Sequence, residues 1–531
     1  MVRWPAMSPA PAPSLGACRA RSLAAAAGLT LLAFVLRVRG MGQSLFGDEV
    51  LTYQIIDHGS LVDVLRALRA APESTPPLHY ALAWASGGIS GALTDIRLPS
   101  LVAGTATVPL LLAVGRRLVP ARAAWLAAAA FALSPFATLY ATETRAYALV
   151  TAATTAALLL LLRALERSST GRWAAFAAAG TVALYAHYTA VLVLGVAALW
   201  AWFARPDRRR ALLLAHAAVV VLYLPWLPFL EGNELDLIAL TYPLTPSSFL
   251  AALVRLFAGS PFLALGTLPG TVALVLGGAA LALGTATAVR ARPATAPAAR
   301  TLIAGLALAA PLGLLLYYAL TGTDLVNPRN LSVSAPALFL GVALVLTACR
   351  SLAPLTAGLA LAALAIGAVR LQEPDARRPE TAAVAAVIDA RGRPDEPVVE
   401  SPLFGRREGP LRPTFALNLR RPHRLLAITG YRRRKNGVRV PQVDPRTWRA
   451  AKRVWVVGPE RPGDVVLPPP PPGWRRVDGA RYAGIYPYGY ALYARARARS
   501  RKGAAGRRSS AQLPRRSSSR KRASTASVRR P

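Results

Sequence analysis

The stretch Ser44-Leu45-Phe46-Gly47-Asp48-Glu49-Val50 follows the first apolar run of the chain, Leu23–Leu36. Two adjacent carboxylates stand directly after a glycine, which itself follows an aromatic residue. Acids after a glycine are typical of a solvated turn or of a helix start, because carboxylates suit the N-terminal end of the helix dipole. Most of the surrounding chain is apolar, however. A carboxylate at a membrane–water boundary is also a candidate for accepting a proton or holding a ligand.

The composition favours a membrane protein. Of 531 residues, 54% are hydrophobic and 17% are charged, and the mean hydropathy is +0.37. Apolar runs of roughly 17–25 residues recur, which is the length a helix needs to cross a bilayer. Together with Leu23–Leu36 they predict about eleven spans, the others lying near residues 98–115, 123–139, 146–163, 173–187, 189–204, 211–230, 263–289, 301–320, 331–349 and 352–370. We expect Arg37 and Arg39, just after the first span, to extend to the interface.

The net charge of +38 does not indicate nucleic acid, because of where the charge lies. The tail from Arg495 onward holds fourteen Lys and Arg residues and no acid, and much of the remaining basic charge lies in short loops between spans. Basic residues in alternate loops are the pattern that sets membrane topology. The two cysteines, Cys18 and Cys349, are far apart in sequence and predict neither a disulfide framework nor a metal site.

The loop charges predict a cytoplasmic N-terminus and place most of the acidic loops on the outer face. With an odd number of spans, the C-terminal part of the chain is predicted to lie on the outer side of the membrane. That part is rich in Pro and Arg and contains four strand-like runs after a helix-like stretch at Glu380–Arg391; the runs are Pro397–Glu400, Arg424–Ile428, Arg453–Val457 and Tyr482–Tyr490. Such a pattern is typical of a small α/β domain.

The predicted architecture is mainly α: a polytopic protein of the cell (inner) membrane with interfacial helices in its first outer loop. One interfacial helix is indicated by Leu61, Val64, Leu65 and Leu68 at helical spacing. We divide the chain into a cytoplasmic N-terminal segment, a transmembrane domain, an extracytoplasmic α/β domain and a disordered basic tail, at 1–22, 23–370, 371–494 and 495–531.

Five outer segments carry the candidate chemistry. Besides Asp48 and Glu49, the candidates are polar or aromatic residues at the ends of predicted spans or in outer turns: Glu143, Arg145, Tyr140, His187, Tyr188, Arg329 and His79. Most of them also fit a simpler role as interface anchors, since Tyr and Arg are common at the headgroup level. Arg329 is different, because an Arg at a helix start gains nothing from the dipole and usually has an anionic partner.

These residue types fit transfer from a lipid-linked phosphate donor. Arg329 and Arg145 are candidates to hold the phosphate. One carboxylate opposite the leaving phosphate would deprotonate an acceptor hydroxyl, with inversion at the sugar carbon. The sequence has no Gly-rich nucleotide loop and no clustered D-x-D, which agrees with a donor that is not a sugar nucleotide. We expect no metal and no other cofactor. The expected partners are a polyprenyl-phosphate-linked sugar, an acceptor that is a glycan, lipid or protein, and membrane lipid, but no nucleic acid.

The order of the motifs resembles the GT-C membrane glycosyltransferases, in particular the family 39-like group of protein mannosyltransferases and aminoarabinose transferases. The pieces that carry the resemblance are Gly47-Asp48-Glu49, Thr75-Pro76-Pro77-Leu78-His79-Tyr80, Arg97-Leu98-Pro99-Ser100, Gly115-Arg116-Arg117-Leu118, Ser134-Pro135 leading to Tyr140 and Glu143-Thr144-Arg145-Ala146-Tyr147-Ala148-Leu149, and Pro328-Arg329-Asn330-Leu331. They run in the same order as in that group, over about residues 30–345.

The resemblance implies that Asp48 is the catalytic base and that Glu49 orients the donor or acceptor. It further implies that Glu143 and Arg145 line the site and that Arg329 lies near the lipid phosphate. Two positions depart from the family pattern: Thr75 replaces a familiar His before Pro-Pro-Leu, and Asn330 replaces a familiar aromatic residue.

Two other functions stay open at this point. A transporter or flippase of lipid-linked glycans would also need many spans and basic pockets, but it should place polar groups at mid-membrane in broken helices. The middle of the predicted spans is mostly Ala, Leu, Val and Gly, with His216 as the main exception. A non-catalytic envelope assembly protein would act through its C-terminal domain and tail.

Overall fold

The computed structural model describes residues 15–71, 73, 75–229, 244–258, 268–291, 295–401, 415–461 and 463–496. The predicted N-terminal segment and basic tail therefore lie mostly outside the described residues. Among these described residues, helices dominate up to residue 370 and strands appear only after it. The helices α1 to α16 of this part are Leu15–Val38, Asp48–Ile56, Leu61–Ala70, Leu78–Ser86, Leu98–Leu118, Ala121–Leu133, Pro135–Ala141, Tyr147–Glu166, Thr170–Ala186, Ala190–Ala204, Arg209–Tyr223, Pro246–Ala258, Leu268–Ala288, Pro297–Thr321, Ala335–Leu346 and Ala353–Arg370.

Within the described residues, eight helices are long and apolar enough to cross a membrane, or nine if one bent pair counts as a single span. The chain is thus a multi-pass membrane protein. The predicted count of eleven is not confirmed, because α9 has 17 residues and α10 has 15, and a straight span needs about 20. The remaining predicted spans each coincide with a helix or with the bent pair.

The bent pair consists of α6 and α7, which meet at 57°. Pro135 lacks an N–H and Ser134 caps the second helix by accepting from the Ala137 N–H, so a new helix starts where the first one stops. Arg37 of α1 packs into this region and donates to the carbonyl of Phe131. The prediction that Arg37 extends to the interface is wrong: its side chain is fully buried. The side chain turns towards α6, where it meets the carbonyl of Phe131, instead of extending to water.

Small residues bring the spanning helices close together. A Cβ placed on Gly104 of α5 would lie 2.4 Å from the Cβ of Ala141 in α7, and one on Gly115 would lie 2.9 Å from that of Ala124 in α6. The hydrophobic effect does not drive helices together within lipid, so close packing of this kind is what stabilises their association.

Three short helices, α2 to α4, fill the first loop between α1 and α5, as predicted. The amphipathic helix α3 begins after Ser60, whose hydroxyl accepts the N–H of Asp63. It buries Val64 and Leu68 against a small core that includes Tyr80 of α4. This core fixes the loop on top of the spanning helices and thereby fixes the start of α2.

A small C-terminal domain follows α16, and its described residues contain helices α17 (Thr381–Arg391) and α18 (Pro445–Ala450). Seven strands lie in the part of this domain that the structure describes; they are β1 to β7, at Pro397–Glu400, Arg424–Ala427, Gly430–Arg433, Arg439–Gln442, Arg453–Pro459, Trp474–Tyr482 and Tyr488–Arg495. Five of them form a sheet in the order β2-β1-β5-β7-β6, and β3 and β4 pair as a separate antiparallel ribbon.

The sheet is mixed: β1 pairs in parallel with β2 and β5, and β7 pairs antiparallel with β5 and β6. Side chains of β5 alternate between two cores, with Trp455 and Val457 facing α17 and Val454 and Val456 on the other side. The α/β prediction is confirmed. The predicted strand Tyr482–Tyr490 is wrong, since these residues end β6, turn, and begin β7.

Candidate active site

Asp48 is the first residue of α2, so the interpretation of this acid as a helix start is confirmed. Gly47 before it adopts φ 59°, a left-handed conformation that favours glycine over any residue with a side chain. The Asp48 carboxylate forms an ion pair with Arg329, 281 positions away in sequence. The two side chains are 38% and 23% exposed, so this pair is reachable from outside the protein.

Arg329 is held by local geometry at the start of a 3₁₀ helix, Pro328–Ser334. The side chain of Asn327 caps that helix by accepting the Arg329 N–H, and Pro328 occupies the first position. The guanidinium lies 5.7 Å from the centre of the Tyr147 ring, a cation–π distance. The Arg329 side chain is thereby fixed above an aromatic surface and beside Asp48.

Glu49, the next residue, is fully buried and surrounded by donors. Arg97 binds both of its carboxylate oxygens, each at 2.7 Å. The backbone N–H groups of Thr144 and Phe46 donate at 3.0 and 3.2 Å, and Arg378 of the C-terminal domain lies 3.3 Å away. Glu49 therefore joins three parts of the chain around the start of α2.

A second buried ion pair connects Arg145 to Glu73 at 2.8 Å. The same nitrogen of Arg145 lies 3.3 Å from the hydroxyl of Tyr80, and the hydroxyl of Thr144 lies 3.4 Å from His79 Nε2. The loop between α7 and α8 is thus joined to α4 and to the residues just before it.

Aromatic rings line the side of the cluster next to Arg329. The ring centre of Tyr147 is 5.3 Å from that of Tyr140 and 5.4 Å from that of His187. His187 in turn lies 4.3 Å from Tyr188. Tyr140 and Tyr188 are partly exposed, whereas Tyr147 and His187 are buried. The arrangement gives the site one apolar, aromatic wall.

The carboxylates differ in their proton affinity. Burial alone would raise the pKa of Asp48, but Arg329 and Arg145 outweigh it and hold the pKa below its usual value. Glu143 has the opposite balance: desolvation and the nearby charges of Glu49 and Asp48 raise its pKa to about 7, although Arg378 and Arg329 oppose them. At neutral pH Asp48 is therefore ionised, and Glu143 is near its titration midpoint.

The two histidines are neutral at physiological pH. Burial, aided by Arg145, lowers the pKa of His79 to about 4 and that of His187 to about 3. Neither can serve as a cation for a phosphate. Across the described residues, no group of three or more His, Cys, Asp and Glu side chains is arranged to hold a metal. Among the described residues, the cations that act most strongly on Asp48 are Arg329 and Arg145.

The structure brings all the sequence-predicted site residues into one linked cluster: Asp48, Glu49, His79, Tyr140, Glu143, Arg145, His187, Tyr188 and Arg329. The sequence analysis missed three residues that hold this cluster, namely Arg97, Glu73 and Arg378. The helix-start argument used for Arg329 applies equally to Arg97, which directly precedes α5, and could have found it. Glu73 and Arg378 have no comparable local signal.

Comparisons with known proteins place this geometry in a wider context. Residues 74–230 match the family model described as dolichyl-phosphate-mannose-protein mannosyltransferase. The apo structure of ArnT from Cupriavidus metallidurans matches with a TM-score of 0.51 and 14% identity, covering 90% of this chain and 98% of ArnT. The same ArnT bound to undecaprenyl phosphate gives a TM-score of 0.47 at 15% identity, with the same coverage. No curated protein sequence matches significantly.

The whole-length match at a TM-score of 0.51 shows that this chain has the fold of ArnT, from the first spanning helix into the C-terminal domain. The family match is independent of it and covers α4 through α11. Together they agree with the resemblance drawn from the motifs: residues 74–230 are similar to the mannosyltransferase family, and the chain has the fold of ArnT.

Proposed function

We propose that this protein transfers a sugar from a polyprenyl-phosphate donor to a hydroxyl of an envelope acceptor, on the outer face of the cell membrane. The observation that carries the proposal is the contact between Asp48 and Arg329. A proton-accepting carboxylate and a phosphate-binding cation meet at a reachable position, although 281 positions separate them in the sequence. The description of the matched family, which names a lipid-phosphate sugar, supports this class of donor.

The reaction needs one base and one anion holder. The acceptor oxygen attacks the anomeric carbon while the bond from that carbon to the phosphate oxygen breaks. The hydroxyl proton passes to Asp48, and the polyprenyl phosphate leaves with its charge on Arg329. A single displacement of this kind inverts the anomeric centre. Tyr140 and Tyr188 offer partly exposed aromatic faces against which a sugar ring packs.

The ion pair between Asp48 and Arg329 in the free enzyme means that the donor binds before the base is activated. While Arg329 pairs with Asp48, the carboxylate is a weak base, because the cation favours its ionised form. An incoming phosphate competes for Arg329 and leaves Asp48 with one cation fewer. The pKa of Asp48 then rises, so donor binding prepares the base for the acceptor. Glu49, which binds Arg97, Arg378 and two backbone amides, serves to hold the loop in place.

The proposal is tested with purified protein in liposomes that contain radiolabelled polyprenyl-phosphate sugars. We expect release of polyprenyl phosphate in step with labelling of an envelope acceptor. The Arg329→Ala variant should bind the donor lipid more weakly, and Arg39→Ala, at an exposed position after α1, is the matched control. Movement of intact donor between leaflets without transfer would instead support a transporter.

A further inference from the structure

The first segment of the C-terminal domain returns to the loop that precedes Asp48. The backbone N–H of Arg378 donates to the side chain of Gln43 at 2.9 Å, and the N–H of Ala382 donates to the hydroxyl of Ser44 at 3.1 Å. Further on, the ring of Tyr486 lies 5.5 Å from that of Phe46. The three contacts fall on residues two to five positions before Asp48.

The side chain of Arg378 contacts the start of α2 itself. It is 94% buried and its Nε lies 3.3 Å from Glu49 Oε2. Among the described residues, Glu49 is the carboxylate with which it forms an ion pair. Burying a guanidinium is costly unless it is paired, and the partner of Arg378 belongs to the transmembrane part rather than to its own domain. The stability of the C-terminal domain therefore does not explain this residue.

Arg378 has hydrogen-bonding capacity beyond its ion pair with Glu49. Its Nη2 atom is buried and has no hydrogen-bond partner within the described part of the chain. The charged groups that act on nearby Glu143 are Glu49, Asp48, Arg378 and Arg329. Glu49 itself is held by Arg97 as well, so Arg378 is not needed to neutralise a lone buried charge. It adds a second cation whose effect extends to Glu143.

We propose that Arg378 is a positioning residue through which the C-terminal domain completes the active site. Its guanidinium fixes Glu49, and with it the first turn of α2, and it balances the charge around Asp48 and Glu143. The site is then fully formed only when the C-terminal domain is docked on the catalytic loop. This inference rests on the proposed transfer reaction for its readout, but its evidence is the contact of Arg378 with Glu49.

The test compares Arg378→Ala and Arg378→Lys with Arg377→Ala, a matched control at the exposed neighbouring position. For Arg378→Ala we expect kcat to fall about 10- to 100-fold with little change in the donor KM, because a small misplacement of a catalytic group has effects of this size. The acidic limb of the pH–rate profile should move to higher pH. Losing a cation raises the pKa of Glu143, and protonation of Glu143 removes a negative charge near Asp48 and so makes Asp48 a weaker base.

The Lys variant separates charge from geometry. It retains the cation but not the guanidinium fork, so the pH limb should return to its wild-type position while kcat recovers only in part. Control Arg377→Ala should keep wild-type kcat and pH dependence. A loss of kcat in Arg378→Ala without any shift of the pH limb, and without partial rescue by Lys, would show a merely structural role and overturn the proposal.

A disulfide separates positioning from simple tethering. Cysteines at positions 44 and 382, in a chain with Cys18 and Cys349 replaced, would lock the domain onto the loop. Crosslinked protein with Arg378 should transfer normally, and crosslinked Arg378→Ala should remain slow. Full recovery of Arg378→Ala by the crosslink would mean that the residue only tethers the domain. A wild-type protein without transfer counts against the proposed function, whereas normal transfer by Arg378→Ala counts against this inference alone.

Discussion

Replacing Arg97 by methionine should destabilise the protein by about 4 kcal/mol. Arg97 donates two hydrogen bonds of 2.7 Å to Glu49 and three more to the carbonyls of Met41, Gln43 and Ser44. Breaking a buried ion pair by removing one partner costs about 3–5 kcal/mol. We take the lower end, about 3 kcal/mol, because Arg378 and two backbone N–H groups remain on Glu49. The buried carbonyl of Ser44 adds about 1 kcal/mol, and water can replace Arg97 at the other two.

The assay is reversible unfolding by SDS titration in mixed micelles, read by tryptophan fluorescence. The double variant Arg97→Met/Glu49→Gln should recover about 2 kcal/mol, because a neutral amide no longer needs a counter-charge. Arg39→Met, at an exposed position, is the control and should change stability by less than about 0.5 kcal/mol. A loss below about 1 kcal/mol for Arg97→Met, or no recovery in the double variant, would refute the claim that this pair organises the loop.

Three further predictions concern stability measured in the same way. Burial, aided by Arg145, holds the pKa of His187 at about 3 against 6.5 in its ordinary state, so between these pH values the unfolded chain binds a proton that the folded chain does not. The free energy of unfolding should therefore fall as pH drops below about 6.5. His187→Asn should make this pH dependence shallower, and an equally steep dependence in the variant would contradict the lowered pKa of His187. Arg37→Met should leave stability unchanged or raise it, because this buried guanidinium makes one hydrogen bond, of 3.4 Å, to the described part of the chain; a clear loss of stability would contradict this reasoning. Gly104→Ala should cost about 1–3 kcal/mol by overpacking, whereas Gly28→Ala, with open space around it, should cost nothing; equal effects would exclude helix contact as the cause.

Much of the fold could be predicted because its signals are local. Hydropathy located the spanning helices, since lipid imposes one length and one composition on each of them. The placement of Asp48 with Arg329 followed from loop charges and from the motif order, which put both on the same face of the membrane. The α/β character of the C-terminal domain followed from short apolar runs such as Arg453–Val457.

The parts that the sequence did not reveal depend on distant partners. Glu73 and Arg378 form ion pairs with residues 72 and 329 positions away in sequence. The residues next to them in sequence give no sign of these partners. Arg37 was misplaced because a lone Arg at a span end looks the same whether it faces lipid or a helix. The error at Tyr482–Tyr490 came from ignoring Gly484 and Pro487, which together signal a turn.

The most direct test of the central claim is sugar transfer by the Asp48→Asn variant, with donor binding measured on the same sample. The amide keeps the shape of the side chain but cannot accept the proton, and it no longer competes with phosphate for Arg329. We expect transfer to fall by about 10²- to 10⁴-fold, the usual contribution of a general base, while the donor lipid binds as tightly as before or more tightly. Transfer at a near wild-type rate would contradict the assignment of Asp48 as the base.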